Sequence, residues 1–171
     1  MSFTVRPVTS EDAPALADLI NPIIRAGGTT ALQGEFTPEA LDHAYLTGPQ
    51  VLCCHIALDE AGEAAAFQTL GRYPGLPDDV GDIGTFAALD RKQSGAGSAL
   101  FAATKARARE LGHSAINATI RADNLGGLAF YAKLGFTDHG VTGAVPLADG
   151  TLVDRVHKRF DLTTPNAGDL P

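Results

Sequence analysis

The spacing of hydrophobic residues divides the chain into short segments of two kinds. Segments that alternate apolar and polar residues, or that are apolar throughout, predict strands, and apolar residues three or four positions apart predict helices. Strands are predicted over residues 3–8, 51–58, 64–73, 83–89 and 114–120, from 136 onward, and over 152–160. Helices are predicted after residue 9, after residue 37, from the glycine pair 95 and 97 to Gly112, and over 125–134.

Capping residues and helix breakers set the ends of the first two helices. The first starts at Thr9-Ser10-Glu11-Asp12, which supplies N-cap and acidic first-turn residues. Pro22 predicts a kink in it, and Gly27-Gly28 predicts its end. The second helix begins at Thr37-Pro38 and stops near Gly48.

The element order that results is β-α-α-β-β-β-α-β-α-β-β, a mixed α/β pattern. No internal repeat or linker divides the chain, so residues 1–162 are predicted to form a single domain. The tail over residues 163–171 is polar and contains two prolines, which predicts disorder.

Length and charge narrow the class of protein. The chain has 171 residues, the size of one domain with a substantial core. No apolar run approaches the roughly 20 residues that cross a bilayer, and the first residues lack the apolar region of a secretory signal. A net charge of -7 argues against a nucleic-acid partner bound by a basic face, and it is compatible with a cationic small molecule.

The cysteines and histidines indicate no metal site. Cys53 and Cys54 are neighbours in a predicted strand and face opposite sides of it, so a bridge between them would be strained. We expect two core thiols in a reducing compartment, and therefore a cytoplasmic protein. The five histidines lack metal-ligand spacing.

The stretch RKQSGAGSAL, residues 91–100, lies between a predicted strand and a predicted helix. A dinucleotide-binding loop needs a third glycine where Leu100 stands, and a Walker loop needs four residues between its glycines and then a lysine. Neither pattern is met. Two interpretations remain for Gly95 and Gly97: a cradle of main-chain amides that binds an anion at the helix N-terminus, or a tight turn into the helix.

A second glycine-containing stretch follows over residues 124–136. It fits the pattern N-x-x-[AG]-x-x-[FLA]-Y-x-x-x-G-F at Asn124, Gly127, Phe130, Tyr131, Gly135 and Phe136. With Gly95 and Gly97 placed in a [QR]-x-x-G-x-[GA] loop before it, the chain resembles the GNAT superfamily of acyl-CoA-dependent N-acyltransferases. One position departs from the pattern, because Lys92 stands where the pattern has Gln or Arg. Lysine keeps a positive charge for a phosphate but lacks the planar, two-pronged donor geometry of a guanidinium group.

The resemblance implies the GNAT fold and acetyl-CoA as co-substrate, with no metal. That fold is a mixed, mostly antiparallel sheet of six to seven strands with about four helices. The implied pyrophosphate loop comprises Lys92, Gln93, Ser94, Gly95, Ala96, Gly97 and Ser98. The resemblance also places Asn124, as helix N-cap and pantetheine partner, and Gly127 at the cofactor.

The resemblance further implies how the chain would catalyse acyl transfer. Tyr131 is the predicted general acid for the leaving thiolate, with packing of its helix on the sheet as the alternative role. Main-chain amides around Phe86, Ala87 and Ala88 are the predicted donors to the oxyanion.

The base and the acceptor site are inferred from one branch of the superfamily, which acetylates phosphinothricin and amino acids. Val5-Arg6-Pro7 and residues 28–31 resemble that branch, and its strand glutamate falls on Asp82, for which an exposed acid at a strand start beside Asp78 and Asp79 is the alternative role. A water relay or His139 remains an alternative base. Thr29, Thr30, Gln33 and Glu35 are candidate acceptor contacts, although a solvated loop acid is an equally ordinary role for Glu35. The chain contains no Trp and so departs from that branch, which weakens the expectation of an aromatic acceptor pocket of that kind.

These observations predict an N-acetyltransferase for a small primary amine, such as an amino acid, a polyamine or an amine-bearing toxin. The alternatives are an acetyltransferase for protein N-termini or lysines, and a non-catalytic acyl-CoA-binding module. We expect neither nucleic acid nor membrane as partner, and the resemblance implies a homodimer.

Overall fold

A seven-stranded sheet forms the centre of the structure, a computed structural model that describes residues 2–92 and 94–165. The strands are β1 (Thr4–Pro7), β2 (Val51–Leu58), β3 (Ala64–Gly71), β4 (Val80–Ala87), β5 (Ala115–Arg121), β6 (Thr137–Pro146) and β7 (Leu152–Asp161). The helices are α1 (Ala13–Ala26), α2 (Pro38–Leu41), α3 (Ala96–Glu110) and α4 (Leu125–Leu134).

The strands lie in the order β1-β2-β3-β4-β5-β7-β6. Within the described residues β4 and β5 form the one parallel pair, and all other neighbours are antiparallel. A mixed, mostly antiparallel sheet with four helices confirms the predicted fold class, and the elements follow in the predicted order.

Helices cover both faces of the sheet. On one face the apolar side of α1, including Leu16 and Ile20, packs on Phe67 of β3. On the other face α3 and α4 pack through Phe101 and Tyr131 on the apolar residues of β5. The apolar cluster around Leu16, Ile20 and Phe67 covers the part of that face formed by β2, β3 and β4. The neighbouring part of the same face, formed by β5 and β7, carries polar side chains.

The helix boundaries differ from the predicted ones at the start of α1 and over the second predicted helix. The Asp12 carboxylate accepts hydrogen bonds from the Thr9 amide and from Arg6, and one 3-10 turn precedes α1. Helix α1 continues through Pro22 and ends at Gly27, as predicted, with φ of +69°. The second predicted helix is only four residues of α2 followed by a π-helical turn over Asp42–Leu46.

Strand β4 begins three residues before the predicted start at 83, because Val80 already pairs with Ala115 of β5. Leu162 is buried and closes the core at the end of the predicted domain. Most of the predicted tail, Asn166–Pro171, lies outside the described residues.

The two edges of the sheet are short or irregular. β1 has four residues and ends in Pro7. β6 is exposed over nearly all of its length and shifts register against β7 twice, between Asp138 and Gly140 and between Thr142 and Val145. Ala144, within the second shift, has a positive φ of 55°.

Among the described residues no helix has the length and apolar character needed to cross a membrane. Cys53 and Cys54 are both free thiols, and burial raises the pKa of each above its ordinary value.

We predict that Phe67→Ala destabilises the fold by about 3–5 kcal/mol, because the side chain is fully buried and its ring stacks on Phe86 at 5.1 Å. Val141→Ala, at a residue that is 65% exposed, is the control and should change the unfolding free energy by less than about 0.5 kcal/mol. Urea unfolding measures both, and equal midpoints for the two variants would contradict this account of the core.

Candidate active site

A wedge-shaped cleft opens where β4 and β5 diverge. Their pairing runs from Val80↔Ala115 to Ile83↔Ala118 and stops there. Both strands continue, β4 to Ala87 and β5 to Arg121, but each then pairs only with its other neighbour. The main-chain groups that would have bridged the two strands are therefore left facing the cleft.

The alternation of an antiparallel ladder shows which amides of β4 face this cleft. The Ala88 amide donates to the Ala65 carbonyl at 2.9 Å, so Ala88 and, two residues earlier, Phe86 turn their main-chain groups toward β3. Thr85 and Ala87 turn theirs the other way. Of the three residues predicted to supply the oxyanion donor, Ala87 is the one whose amide faces the cleft.

The glycine stretch forms the turn into α3 at the wide end of the cleft. Gly95 is the N-cap, has φ of +91°, and has open space where a Cβ would stand. The amides of Ala96, Gly97 and Ser98 occupy the first helical turn, where an α-helix offers them no internal acceptor. The Ser94 hydroxyl is buried without a hydrogen-bond partner.

The flanking residues of this turn have different surroundings. Lys92 is exposed, and Gln93 lies outside the described residues. Arg91 is engaged by Asp59 in an ion pair of 2.6 Å. An exposed helix N-terminus with free amides and an orphaned hydroxyl fits a pyrophosphate bound by the backbone.

Two motif glycines have packing roles. A Cβ at Gly97 would stand 2.7 Å from the Phe130 ring, so the absence of a side chain lets α3 approach α4. A Cβ at Gly127 would stand 2.5 Å from the side-chain nitrogen Nδ2 of Asn124. The side-chain oxygen Oδ1 of Asn124 accepts from the Gly127 main-chain amide at 2.9 Å, which is the predicted N-cap.

Tyr131 lies at the α3–α4 side of the cleft, where its hydroxyl is 2.9 Å from the Thr85 hydroxyl. Gln68, which is fully buried, donates from Nε2 to the same Thr85 oxygen at 2.9 Å. Burial, together with the charge of Asp82, raises the pKa of Tyr131 to about 12, although the Thr85 hydrogen bond opposes the shift. The tyrosine is therefore a proton donor throughout the neutral range.

Asp82 lies on the opposite face of β4, three residues before Thr85. Its Oδ1 accepts from Nδ2 of Asn117 at 2.8 Å. Burial raises the pKa of Asp82 above its ordinary value, against the opposing effects of that hydrogen bond and of the charges of His157 and Arg159. The carboxylate and the Tyr131 hydroxyl thus approach the cleft from opposite faces of the sheet.

A polar network continues from Asp82 across the neighbouring strands. Asn117 also donates to Thr119 at 3.1 Å, and Thr119 contacts Nδ1 of His157 at 3.0 Å. The Nε2 atom of His157 is 2.7 Å from the Thr142 hydroxyl. Arg159 donates to Oδ1 of Asn117 at 2.9 Å. This network ties the predicted base to three further strands.

The sequence did not single out Gln68, Thr85, Asn117 or His157. Strand alternation was the available signal, because Thr85 must face away from Asp82 and toward the helix that carries Tyr131. The partners of these residues come from strands far apart in sequence, which alternation alone does not pair.

The loop between α1 and α2 contains the predicted acceptor contacts, of which two are bonded through their main-chain carbonyls and two through their side chains. The Thr29 carbonyl accepts from Nδ2 of Asn124 at 2.9 Å, and the Thr30 carbonyl accepts from Arg121 at 3.2 Å. Gln33 accepts from the Ala148 amide at 2.6 Å, in the turn between β6 and β7. Glu35 pairs with Arg25 at 2.9 Å, which supports the ordinary role of a solvated loop acid.

The alternative base, His139, is exposed at the first register shift of β6, outside the network around Asp82. Within residues 2–92 and 94–165 no group of three or more His, Cys, Asp or Glu is arranged to hold a metal ion.

Solved structures resemble the whole chain. The GNAT superfamily phosphinothricin acetyltransferase from Sinorhizobium meliloti, in complex with AcCoA, superimposes with a TM-score of 0.81 at 18% identity, over 100% of this chain and 97% of that one. A GCN5-related N-acetyltransferase from Kribbella flavida gives 0.78 at 23% identity, over 93% and 97%. The ribosomal-protein-alanine N-acetyltransferase from Brucella melitensis gives 0.80 at 18%, over 92% and 99%.

At these identities the likeness establishes the fold. No curated protein matches the chain significantly. The sequence model of the acetyltransferase (GNAT) family matches residues 18–136, a range that contains the divergent strands, the α3 turn and Tyr131. Because that match spans well over half of its length, the chain belongs to the acetyltransferase (GNAT) family.

Proposed function

We propose that this acetyltransferase transfers the acetyl group of acetyl-CoA to a small primary amine by direct attack on the thioester. The observation that carries the proposal is the cleft between β4 and β5, which Asp82 and Tyr131 flank from opposite faces. The complex of the Sinorhizobium meliloti relative with AcCoA supports the choice of co-substrate.

Residues of the α3 turn and of the cleft wall would hold the co-substrate. The amides of Ala96, Gly97 and Ser98 and the orphaned hydroxyl of Ser94 supply donors for a pyrophosphate. Lys92 contributes a nearby positive charge. The thioester supplies an activated acetyl group, and the Ala87 amide is aimed to donate to its carbonyl oxygen.

Asp82 acts as the base that takes a proton from the ammonium group of the acceptor, and the neutral amine that results attacks the thioester carbonyl. Its raised pKa makes it a stronger base than an exposed carboxylate. The hydrogen bond from Asn117 fixes one carboxylate oxygen and leaves the other for the amine, directly or through one water.

Tyr131 acts as the acid that donates a proton to the departing sulfur. The Thr85 oxygen accepts from the Gln68 amide and can still donate its own proton, and we assign that proton to the Tyr131 oxygen. With that proton directed to the Tyr131 oxygen, the phenolic proton is free for the cleft. Thr85 then also stabilises the phenolate that forms.

A small acceptor is favoured over a protein terminus by the loop between α1 and α2. Hydrogen bonds through Thr29, Thr30 and Gln33 fasten this loop to the N-cap of α4, to β5 and to the β6–β7 turn. An extended peptide acceptor would have to pass a loop that is fastened at three points.

Tyr131→Phe should lower kcat about 100-fold or more with CoA affinity unchanged, because the proton donor is lost and the ring remains. Thr85→Val should lower kcat about tenfold, and Thr85→Ser should restore it, because the second hydroxyl is what supports the phenolate. Thiol release from acetyl-CoA with a panel of amines measures these rates. CoA binding without turnover of any amine would instead establish a non-catalytic binding module.

Gly95→Glu should weaken CoA binding about 100-fold or more, because the side chain would enter the open space at the α3 N-terminus and carry a negative charge into it. Gly95→Ala is the matched control, since it shares the backbone strain at φ of +91° but adds no charge. Calorimetric titration with CoA compares them, and unchanged affinity in the Glu variant would refute the pyrophosphate assignment.

The pH profile should follow Asp82 on its acid side. Since burial raises the pKa of this carboxyl, the base form is lost as pH falls through that raised value, and kcat/KM falls with it. Tyr131, with a pKa of about 12, gives no alkaline limb near neutrality. Asp82→Asn should lower kcat about 100-fold or more and abolish the acid limb.

Asp82→Glu and His139→Gln are the controls for this assignment, measured with an acceptor whose amine pKa is known. The first should retain an acid limb, and the second should leave rate and profile unchanged. Loss of the limb in His139→Gln alone would move the role of base to that histidine.

A further inference from the structure

Three polar side chains form a row across the face of the sheet that α3 and α4 cover. His55 of β2 lies directly opposite Gln68 of β3, and Gln68 lies directly opposite Thr85 of β4. Residues opposite one another in an antiparallel ladder point to the same face, with Cβ atoms about 5 Å apart. The Tyr131 hydroxyl meets the row at its Thr85 end. The row therefore connects the proposed acid with β2, two strands away.

The row contains two buried polar atoms without a partner. Nδ1 of His55 and Oε1 of Gln68 are both sealed from solvent, and neither has a hydrogen-bond partner among the described residues. Gln68 is fully buried, and His55 is 9% exposed. Folded proteins rarely leave such atoms unpaired, because burial removes the hydrogen bonds that water would make.

A third unpaired atom comes from α3. Thr104 is fully buried on the same stripe of that helix as Leu100 and Ala108. Its hydroxyl is sealed from solvent and has no partner in the described part of the chain, not even the main-chain carbonyl one turn earlier, to which helical threonines often bond.

Contacts on either side place this threonine over the row. One turn before it, Leu100 belongs to the same buried cluster as Ala66 of β3. One turn after it, Ala108 belongs to the same buried cluster as Leu70 of β3. Gln68 lies midway between those two strand residues and shares their face. The three unpaired atoms therefore converge on one place between α3 and the sheet.

The chemistry of the three atoms matches one water molecule, which donates two hydrogen bonds and commonly makes about three in a protein interior. Oε1 of Gln68 can only accept, and the Thr104 hydroxyl can donate. Burial, together with the charge of Arg107, lowers the pKa of His55, so its ring is neutral and Nδ1 can accept. His55 also lines a cavity of about 330 Å³ where β1 ends, which gives a proton on Nε2 access to solvent.

We propose that one buried water molecule binds between α3 and the sheet, where it accepts from the Thr104 hydroxyl and donates to Oε1 of Gln68 and Nδ1 of His55. The water holds the Gln68 amide with its oxygen toward α3 and its Nε2 toward Thr85. Gln68 and His55 are then positioning residues for the proposed acid. This second part rests on the proposed function, whereas the water site does not.

The orientation of the Gln68 amide decides where the phenolic proton points. As held by the water, the amide donates to Thr85, and the Thr85 proton goes to the Tyr131 oxygen. With the amide turned over, Gln68 would accept the Thr85 proton instead, and the Tyr131 proton would be drawn to Thr85 and away from the cleft.

A high-resolution crystal structure of the wild-type protein tests the site directly. It should show one water within about 3.2 Å of all three atoms, and that water should be absent in Thr104→Val. A direct hydrogen bond between His55 and Gln68, or no density between the three atoms, would overturn the site.

The sign of a stability change tests it independently. Thr104→Val replaces the hydroxyl with a methyl group of nearly the same shape. Loss of a bond to a bound water should lower the urea midpoint of unfolding, whereas removal of a hydroxyl that is truly unpaired should raise it. A raised midpoint would therefore contradict the water site.

The positioning role is tested by kinetics in two backgrounds. Gln68→Met, which keeps the length of the side chain, should lower kcat about tenfold and leave KM for acetyl-CoA unchanged, because the phenolic proton loses its fixed direction. Thr104→Val should lower kcat by a smaller factor, and Thr104→Ser should restore it. In a Tyr131→Phe background Gln68→Met should have no further effect, because it acts through that hydroxyl.

The possible failures are distinguishable. A further loss of kcat from Gln68→Met in the Tyr131→Phe background would overturn the positioning role and leave the water site to the crystal structure. If Tyr131→Phe alone keeps full activity, the proposed acid fails and the positioning role fails with it.

Discussion

The parallel ladder between β4 and β5 holds from Val80 to Ile83 and then stops, while each strand stays paired on its other side. This divergence creates main-chain groups without partners inside a folded sheet, and unpaired backbone groups are costly unless water or a ligand meets them. The walls of the cleft therefore offer main-chain donors and acceptors to water or to a ligand. Tyr131, Asp82 and the α3 turn, to which we assign the roles of acid, base and pyrophosphate site, all lie around this cleft.

The alternation of strand side chains places the proposed acid and the proposed base on opposite faces of the sheet. Thr85 faces α4 and supports a buried tyrosine, whereas Asp82 faces a polar network that extends to β6. Because the sheet lies between them, Asp82 and Tyr131 do not hydrogen-bond to one another. The proposed mechanism therefore takes up a proton on one face and delivers another on the opposite face, without direct transfer between the two groups.

The fold, the family and the element order could all be predicted from the sequence, since hydrophobic spacing, capping residues and two glycine motifs act locally. The roles of single residues could be predicted less well. Gly97 and Gly127 stand at motif positions, yet the structure shows them packed on Phe130 and Asn124. Glu35 was a candidate acceptor contact, and it pairs with Arg25. The polar network from Asp82 to Thr142 depends on the register of β7 with β5, which no local pattern specifies.

The edges of the sheet have a consequence for how the protein behaves at high concentration. An open sheet presents unpaired strand edges that can template pairing with another chain. Here one edge strand has four residues and ends in a proline, and the other shifts register twice, with Ala144 at a positive φ of 55° within the second shift. Neither edge offers a long, regular ladder. Self-association by sheet extension, and the aggregation that follows from it, is therefore disfavoured, and a second copy would have to be recognised through side-chain surfaces.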